Sequence, residues 1–196
     1  MYETVLEKHV LEKELIFLRH CESELDFNIP VSQWSLSAKG KQHAKKLASS
    51  GQFDDVETII ASEEKKAHQT AQPIAKRNSL SIMELPNFNE LNRDVATPLT
   101  KNEYEKSVKL AFEKPHEGVH GWETTSSALK RFTRGVEEVK KRQETKILLV
   151  SHGIILTLYF GVLTQQMDQL FNRWKKLTFG ACGIIEDGNV VRDIVN

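Results

Sequence analysis

Two histidines stand directly after two short apolar runs. Leu15-Ile16-Phe17-Leu18 leads into Arg19-His20-Cys21-Glu22-Ser23, and Ile147-Leu148-Leu149-Val150 leads into Ser151-His152-Gly153. Unbroken apolarity over four residues is the pattern of a central parallel strand covered on both faces, and open parallel sheets bind ligands just beyond the carboxyl ends of their strands. If the two strands are neighbours, the imidazoles of His20 and His152 converge. Arg19 adds a guanidinium, and Gly153 opens a helix whose unpaired N–H groups and dipole favour an anion. Such a group of residues suits a phosphate dianion resting above a nucleophile. Histidine can take a phosphoryl group covalently and so split one difficult transfer into two easier ones, while fixed positive charge and N–H donors stabilise the equatorial oxygens during in-line passage. A competing reading makes His20, Cys21, Glu22 and His152 metal ligands, for which the residue types are right, though no close His or Cys spacing elsewhere adds to it. A third reading makes both histidines satisfied core residues. Ser151 lacks the Gly-x-Ser-x-Gly surroundings of a hydrolase nucleophile.

The elements that must hold these residues are legible at a coarse level. Thr58-Ile59-Ile60-Ala61 reads as a third strand and Leu80-Ser81-Ile82-Met83 as a weaker fourth. Ser37 is placed to cap a helix running to about Ser49, with Gly51 as its stop signal. Ala67 to Asn78 predicts another helix, with Pro73 near a kink or early turn. From Thr124 to Arg142, Ala128, Leu129, Phe132, Val136 and Val139 recur at helical spacing. Further helices follow Gly153 and span Met167 to Leu177, and Gly183 to Val191 carries an Asp-Gly turn between apolar runs, the mark of a β-hairpin. Strands alternating with helices predict a three-layer α/β/α sandwich with a mostly parallel central sheet. The stretch from Pro86 to Trp122 holds one plausible helix, Lys101 to Glu113, within otherwise irregular sequence. It is expected to be a lid-like insertion in a single domain covering 1–196, the kind of place where Arg93, Lys101, His116 and His120 would meet a substrate.

Composition narrows the function classes. The chain has 196 residues, with Lys+Arg 27 balanced by Asp+Glu 27, so its formal net charge is zero. No global field draws it to nucleic acid or an anionic membrane, and any affinity for an anion has to be local. A length of this order buries roughly 70% of the unfolded surface, enough for a core without disulfide or metal staples. The longest apolar stretch, Ile154 to Leu163, is about half the ~20 residues that a membrane span requires. Two widely spaced cysteines, Cys21 and Cys182, and a polar start from Met1 to Lys8 point to a reducing cytoplasm.

Four segments, in order, resemble the histidine phosphatase superfamily, also called phosphoglycerate mutase-like. Leu15 to Ser23 is similar to its Arg-His-Gly-Glu-Thr signature. Ser35-Leu36-Ser37-Ala38-Lys39-Gly40-Lys41-Gln42 is similar to its Leu-(Ser/Thr)-x-x-Gly-x-x-Gln helix start. Ala61-Ser62-Glu63-Glu64-Lys65-Lys66-Ala67-His68-Gln69-Thr70-Ala71 is similar to Ser-Ser-Pro-Leu-x-Arg-Ala-x-Gln-Thr-Ala, and Ser151-His152-Gly153 to the second histidine motif. The resemblance implies the phosphoglycerate mutase-like fold and a phosphatase that hydrolyses phosphate monoesters through a phosphohistidine on His20. It needs no metal and no cofactor. Arg19, Lys66, His152 and Gly153 would hold the substrate phosphate, His152 would share in catalysis, and Glu90 would act as general acid and base. Glu123 would have a structural capping role. The implied partner is a small phosphorylated metabolite, with no nucleic acid and no membrane. Three departures stand out: Lys66 for the usual arginine, which gives up the bidentate fork for phosphate, Cys21 for glycine, and Asp26 where many members have a phosphate-contacting asparagine. They keep a non-catalytic phosphate or phosphoprotein binder open as an alternative. A phosphoglycerate mutase is the other; against it, Glu90 is followed by Leu91-Asn92-Arg93-Asp94 and not by an Arg-x-Tyr-Gly-type run.

Overall fold

The apolar runs around the two histidines are adjacent strands. In a computed structural model that describes residues 12–94 and 99–195, β1 (Glu14–Arg19) pairs in parallel with β4 (Lys146–Ser151), with Leu18 opposite Val150 and Arg19 opposite Ser151. β2 (Thr58–Ala61) lies in parallel on the other side of β4, and β3 (Ile82–Glu84) in parallel beyond β2. β5 (Cys182–Glu186) joins β1 antiparallel, and β6 (Asn189–Arg192) completes the order β3-β2-β4-β1-β5-β6. The β5–β6 turn puts Asp187 and Gly188 at φ of 46° and 85°, the paired left-handed geometry that favours Asp-Gly in two-residue hairpins.

Alternation along each central strand divides the core in two. Leu15, Phe17, Ile60, Ile147 and Leu149 face one layer, and Ile16, Leu18, Ile59, Ala61, Leu148 and Val150 the other. That two-sided burial is the reason the middles of these strands, Leu15 to Leu18, Ile59 to Ala61 and Ile147 to Val150, carry no polar residue. One layer is α1 (Ala38–Ala48) and α2 (Lys65–Asn78); the other is built mainly from α4 (Thr125–Lys140), α5 (Gly153–Leu163) and α6 (Leu170–Lys176). α3 (Lys101–Glu113) opens with a capping box in which Thr100 and Glu103 satisfy each other's backbone N–H groups.

Several boundaries depart from expectation. α2 begins two residues early, at Lys65, and runs through Pro73 with helix on both sides. β3 starts at Ile82 and not at Leu80. Ser79 ends α2 in the left-handed conformation at φ 56°, and the Leu80 N–H turns back to the Ala75 carbonyl at 3.0 Å, so Leu80 belongs to the helix terminus. The segment expected as one helix from Met167 is a single 3-10 turn, Met167–Gln169, followed by α6. The stretch from 86 to 122 is more than a cover, since Phe88, Leu91, Val108 and Trp122 are buried in the core beside Phe17 and Phe132. Of the unassigned opening, Met1 to Lys13, residues 1–11 lie outside the described residues.

Ser37 caps α1 as expected, accepting from the Gly40 N–H at 3.0 Å. Gly40 serves a second purpose: the backbone of Glu22, two residues past His20, lies against the first turn of α1, and a Cβ at position 40 would stand 2.0 Å from the Glu22 carbonyl oxygen. Gly40→Ala is therefore expected to destabilise the fold by about 1–3 kcal/mol or more through overpacking. Urea unfolding should show a lower midpoint with an unchanged slope; an unchanged midpoint would mean that the loop after His20 yields freely.

Candidate active site

Parallel pairing of β1 with β4 fixes the distance between the two histidines. The His20 N–H bonds to the Ser151 carbonyl at 2.9 Å, and the imidazoles of His20 and His152 stand with centroids 5.1 Å apart at 57°. Both are buried. Nδ1 of His20 lies 2.7 Å from the Cys21 carbonyl oxygen. A carbonyl only accepts, so Nδ1 carries the proton and Nε2 presents a lone pair. His152 is oriented by a relay. The Glu63 N–H donates to Asn89 Oδ1 at 2.9 Å, which sets the amide; Ser62 Oγ donates to the same oxygen at 2.9 Å and so accepts from His152 Nε2 at 2.7 Å. That leaves Nδ1 of His152 buried and without a partner among the described residues. Burial, then His152, Lys66 and Arg19, push protonation of His20 well below the ordinary imidazole range; burial, then Lys66, Arg93 and Arg19, do the same for His152. Both shifts favour the neutral rings, the form in which an imidazole nitrogen can act as a nucleophile.

The cations are partly committed to the protein. Arg19 donates through Nη1 to the Leu177 carbonyl and lies 4.3 Å over the Phe179 ring, while its Nε is buried with no partner among the described residues. Gly153 makes room for that guanidinium: a Cβ there would stand 3.2 Å from its Cζ, Nε and Nη2. Lys66 is buried, donates from Nζ to the Val31 carbonyl at 2.8 Å, and pairs with Glu64. Burial lowers its pKa and Glu64 opposes that shift.

Glu90 stands at the N-terminus of α5, and this corrects the expectation that those N–H groups await an anion. Its Oε2 accepts from the Ile154 N–H and its Oε1 from the Ile155 N–H, both at 2.9 Å, and Oε1 also takes the Leu91 N–H at 3.0 Å. A carboxylate at a helix N-terminus is stabilised by exactly oriented donors and by the helix dipole. The Glu90 N–H in turn donates to Glu64 Oε1 at 2.7 Å, and the same oxygen lies 3.6 Å from His152 Nε2. Arg131 on α4 holds the segment in place, donating from Nη1 to the carbonyls of Pro86, Asn87 and Asn89 at 2.9–3.0 Å and from Nη2 to that of Glu90 at 3.2 Å. Glu123 does not cap α4; Thr124 does. Glu123 fixes Arg131 by two contacts at 3.3 and 2.8 Å.

The remaining sequence candidates sort cleanly. Asp26 turns its carboxylate to Asn28, at 3.0 Å from both the N–H and Nδ2, in an Asx turn. Cys21 sits at negative φ with its N–H on Thr70 Oγ1 at 3.0 Å, so a side chain in place of glycine is accommodated there. Burial pushes its thiol up to about 11. Ser151 is buried and donates to the Phe88 carbonyl at 2.7 Å. Among the described residues, no group of three His, Cys, Asp or Glu side chains is placed to hold a metal ion. His116 and His120 are exposed, while Arg93 lies 5.0 Å from the Tyr104 ring centroid and 6.0 Å from that of Trp122. Ser62, Glu64, Arg131 and Phe179 were not expected at the site. One signal could have found Glu64: in the resemblance it occupies the place of the family's leucine, in the same segment where lysine stands for arginine.

Comparison with known proteins finds relatives over most of the chain. The model of the histidine phosphatase superfamily (branch 1) matches residues 15–186. Phosphoserine phosphatase 1 of Hydrogenobacter thermophilus is 28% identical over 172 residues, covering 81% of this chain and 80% of its own. Among solved structures, a mycobacterial glucosyl-3-phosphoglycerate phosphatase superposes with a TM-score of 0.75 at 15% identity, over 94% of this chain and 100% of the other. A phosphoserine phosphatase variant from Entamoeba histolytica, bound to phosphoserine, superposes at 0.71 and 19% identity, over 92% and 94%. At these identities the structural likeness speaks for the fold.

Two buried neutral imidazoles have a thermodynamic consequence. In the unfolded chain each histidine protonates near pH 6.5, whereas both remain neutral in the native protein. Below that pH the unfolded state binds more protons, and stability falls as pH falls. Urea titrations at pH 8, 7, 6 and 5 should show this loss beginning below about pH 6.5, with a shallower decline in the His20→Asn/His152→Asn variant. Equal declines in the two proteins would place the acid sensitivity elsewhere.

Proposed function

Because the chain belongs to the histidine phosphatase superfamily, matched over residues 15–186, we propose that His20 is its nucleophile and Glu90 its general acid and base in the hydrolysis of small phosphate monoesters. The observation that carries this reading is the tautomer of His20: Nδ1–H is held by the Cys21 carbonyl, so Nε2 meets phosphorus with its lone pair, 5.1 Å between ring centres from His152. Nε2 attacks in line, the P–N bond forms as the P–O bond to the alcohol breaks, and the alkoxide takes a proton from Glu90. Water, losing its proton to Glu90, then cleaves the P–N bond and releases inorganic phosphate. Arg19 and Lys66 supply positive charge to the phosphoryl oxygens. Lys66 has three N–H donors, of which two are used by Val31 and Glu64, leaving one for substrate. His152 lies against the same phosphoryl group, and Gly153 lets Arg19 come close.

The relatives' named substrates, phosphoserine and glucosyl-3-phosphoglycerate, are small monoesters, which supports a small phosphorylated metabolite over nucleic acid or membrane. No helix among the described residues is long and apolar enough to cross a membrane, and both cysteines are free and buried; a reducing cytoplasm is the setting we assign. A phosphate binder without turnover is the second reading, favoured by the Glu64–Lys66 pair and by the three backbone N–H bonds on Glu90.

Quenching wild-type enzyme with labelled monoester at neutral pH should trap an acid-labile phosphoenzyme that is absent in His20→Ala. Glu90→Gln should reduce kcat by about 100-fold or more, within the range of general acid–base catalysis. Phosphate binding with no turnover of any monoester would establish the binder instead.

A further inference from the structure

Two cavities border the site, and they differ in charge. One, of about 550 Å³, is lined by four carboxylates, Glu64, Glu90, Asp94 and Glu123, against Arg93 and Arg131. Glu90 opens onto it, but its excess of carboxylates leaves it little attraction for the anionic end of a substrate. The other, of about 450 Å³, has walls of Leu25, Phe27, Trp34, Tyr104 and Trp122, with Arg93 and Lys101 as its cations and Asp94 as its acid. That carboxylate is already bonded to the N–H and hydroxyl of Ser32, at 3.0 and 2.5 Å. The volume falls in the usual range for small-molecule sites, about 300–1,000 Å³.

From this second cavity we infer the substrate class: phosphate monoesters of alcohols that carry an aromatic ring, with the ring lodged among Phe27, Trp34, Tyr104 and Trp122. The inference rests on the phosphatase reading above. Proximity supports it. Val31 lines the cavity, and its carbonyl is the acceptor for Lys66 Nζ at 2.8 Å, so cavity and phosphate site share a wall. Arg93 is near enough for its charge to act on Arg19. Apolar surface supports it too. Leu25, Phe27 and Ile29 are 64%, 57% and 40% exposed on one loop at the cavity, a concentration of uncovered apolar area that a bound ring would shield from water. Phe27 meets Trp34 edge-on, with centroids 6.0 Å apart, and the Arg93 guanidinium over Tyr104 and Trp122 offers a cation to a further aromatic face. An unbranched aliphatic alcohol fills little of this space and gains none of the aromatic contacts. Arg93 Nη1 is buried without a partner among the described residues and is available to an oxygen of the bound alcohol.

Leaving-group reactivity must not imitate binding, so the test pairs primary alcohols: benzyl, 2-phenylethyl and 3-phenylpropyl phosphates against methyl, ethyl and propyl phosphates. Full burial of a phenyl group is worth roughly 10- to 150-fold in kcat/KM. At least one aryl member should exceed its alkyl counterpart by about tenfold or more, and Phe27→Ser should lower that ratio at least threefold, while Val191→Ser, 54% exposed on β6, leaves it unchanged. A ratio below tenfold for every pair, or a ratio untouched by Phe27→Ser, overturns the inference while leaving the phosphatase reading intact. Absence of any His20-dependent hydrolysis overturns both.

Discussion

The parallel register between β1 and β4 is the constraint on which the site depends. Leu18 lies opposite Val150 and Arg19 opposite Ser151, so the residue after each strand emerges at the same level of the sheet edge. Side chains at that level cannot avoid one another. The two imidazoles meet at 5.1 Å although 131 residues of chain separate positions 20 and 152. Because both faces of these strands are apolar, alternation alone does not set the register; the polar strand ends mark it, Glu14 opposite Lys146 with an ion pair at 3.4 Å and Arg19 opposite Ser151, and close packing in both layers holds it. The packing that stabilises the domain is thus the same packing that sets the distance between the two imidazoles.

Around this pair the protein balances its own charges. Arg19, Lys66 and Arg93 lie close enough to Glu64 and Glu90 for their charges to interact; Arg19 and Lys66 already have hydrogen-bond partners in the protein, whereas Arg93 rests against the Tyr104 and Trp122 rings. Glu64 is central: one oxygen pairs with Lys66 while the other accepts the Glu90 N–H and approaches His152. In that position it links the basic arm, the acidic arm and the second histidine. A leucine there, as in the family pattern, would link none of them. The substitution of lysine for arginine at 66 and of glutamate for leucine at 64 read as one change, a buried ion pair whose members have to be present together.

Much of the scaffold was legible because its signals are local. Unbroken apolar runs marked β1, β2 and β4, a Ser37 cap marked α1, and the Asp-Gly pair marked the terminal hairpin. The convergence of Arg19, His20 and His152 followed from where those strands end. Where the reading failed, the deciding interaction was distant or backbone-mediated. Glu90 reaches the N–H groups of residues 154 and 155, and Arg131 holds carbonyls more than forty positions away. No periodicity in sequence announces such contacts. Leu80 fits a strand equally well by its apolarity, and only the left-handed Ser79 marks a helix terminus.

Cys21 adds a chemical character to the whole arrangement. It is adjacent in sequence to the residue assigned to nucleophilic attack, yet burial pushes its thiol up to about 11, which keeps the sulfur protonated at neutral pH. Cys182 is pushed up to the same value. Thiolate is the form that peroxide and alkylating agents attack, and burial disfavours it at both cysteines, so neither sulfur competes with the imidazoles for covalent chemistry.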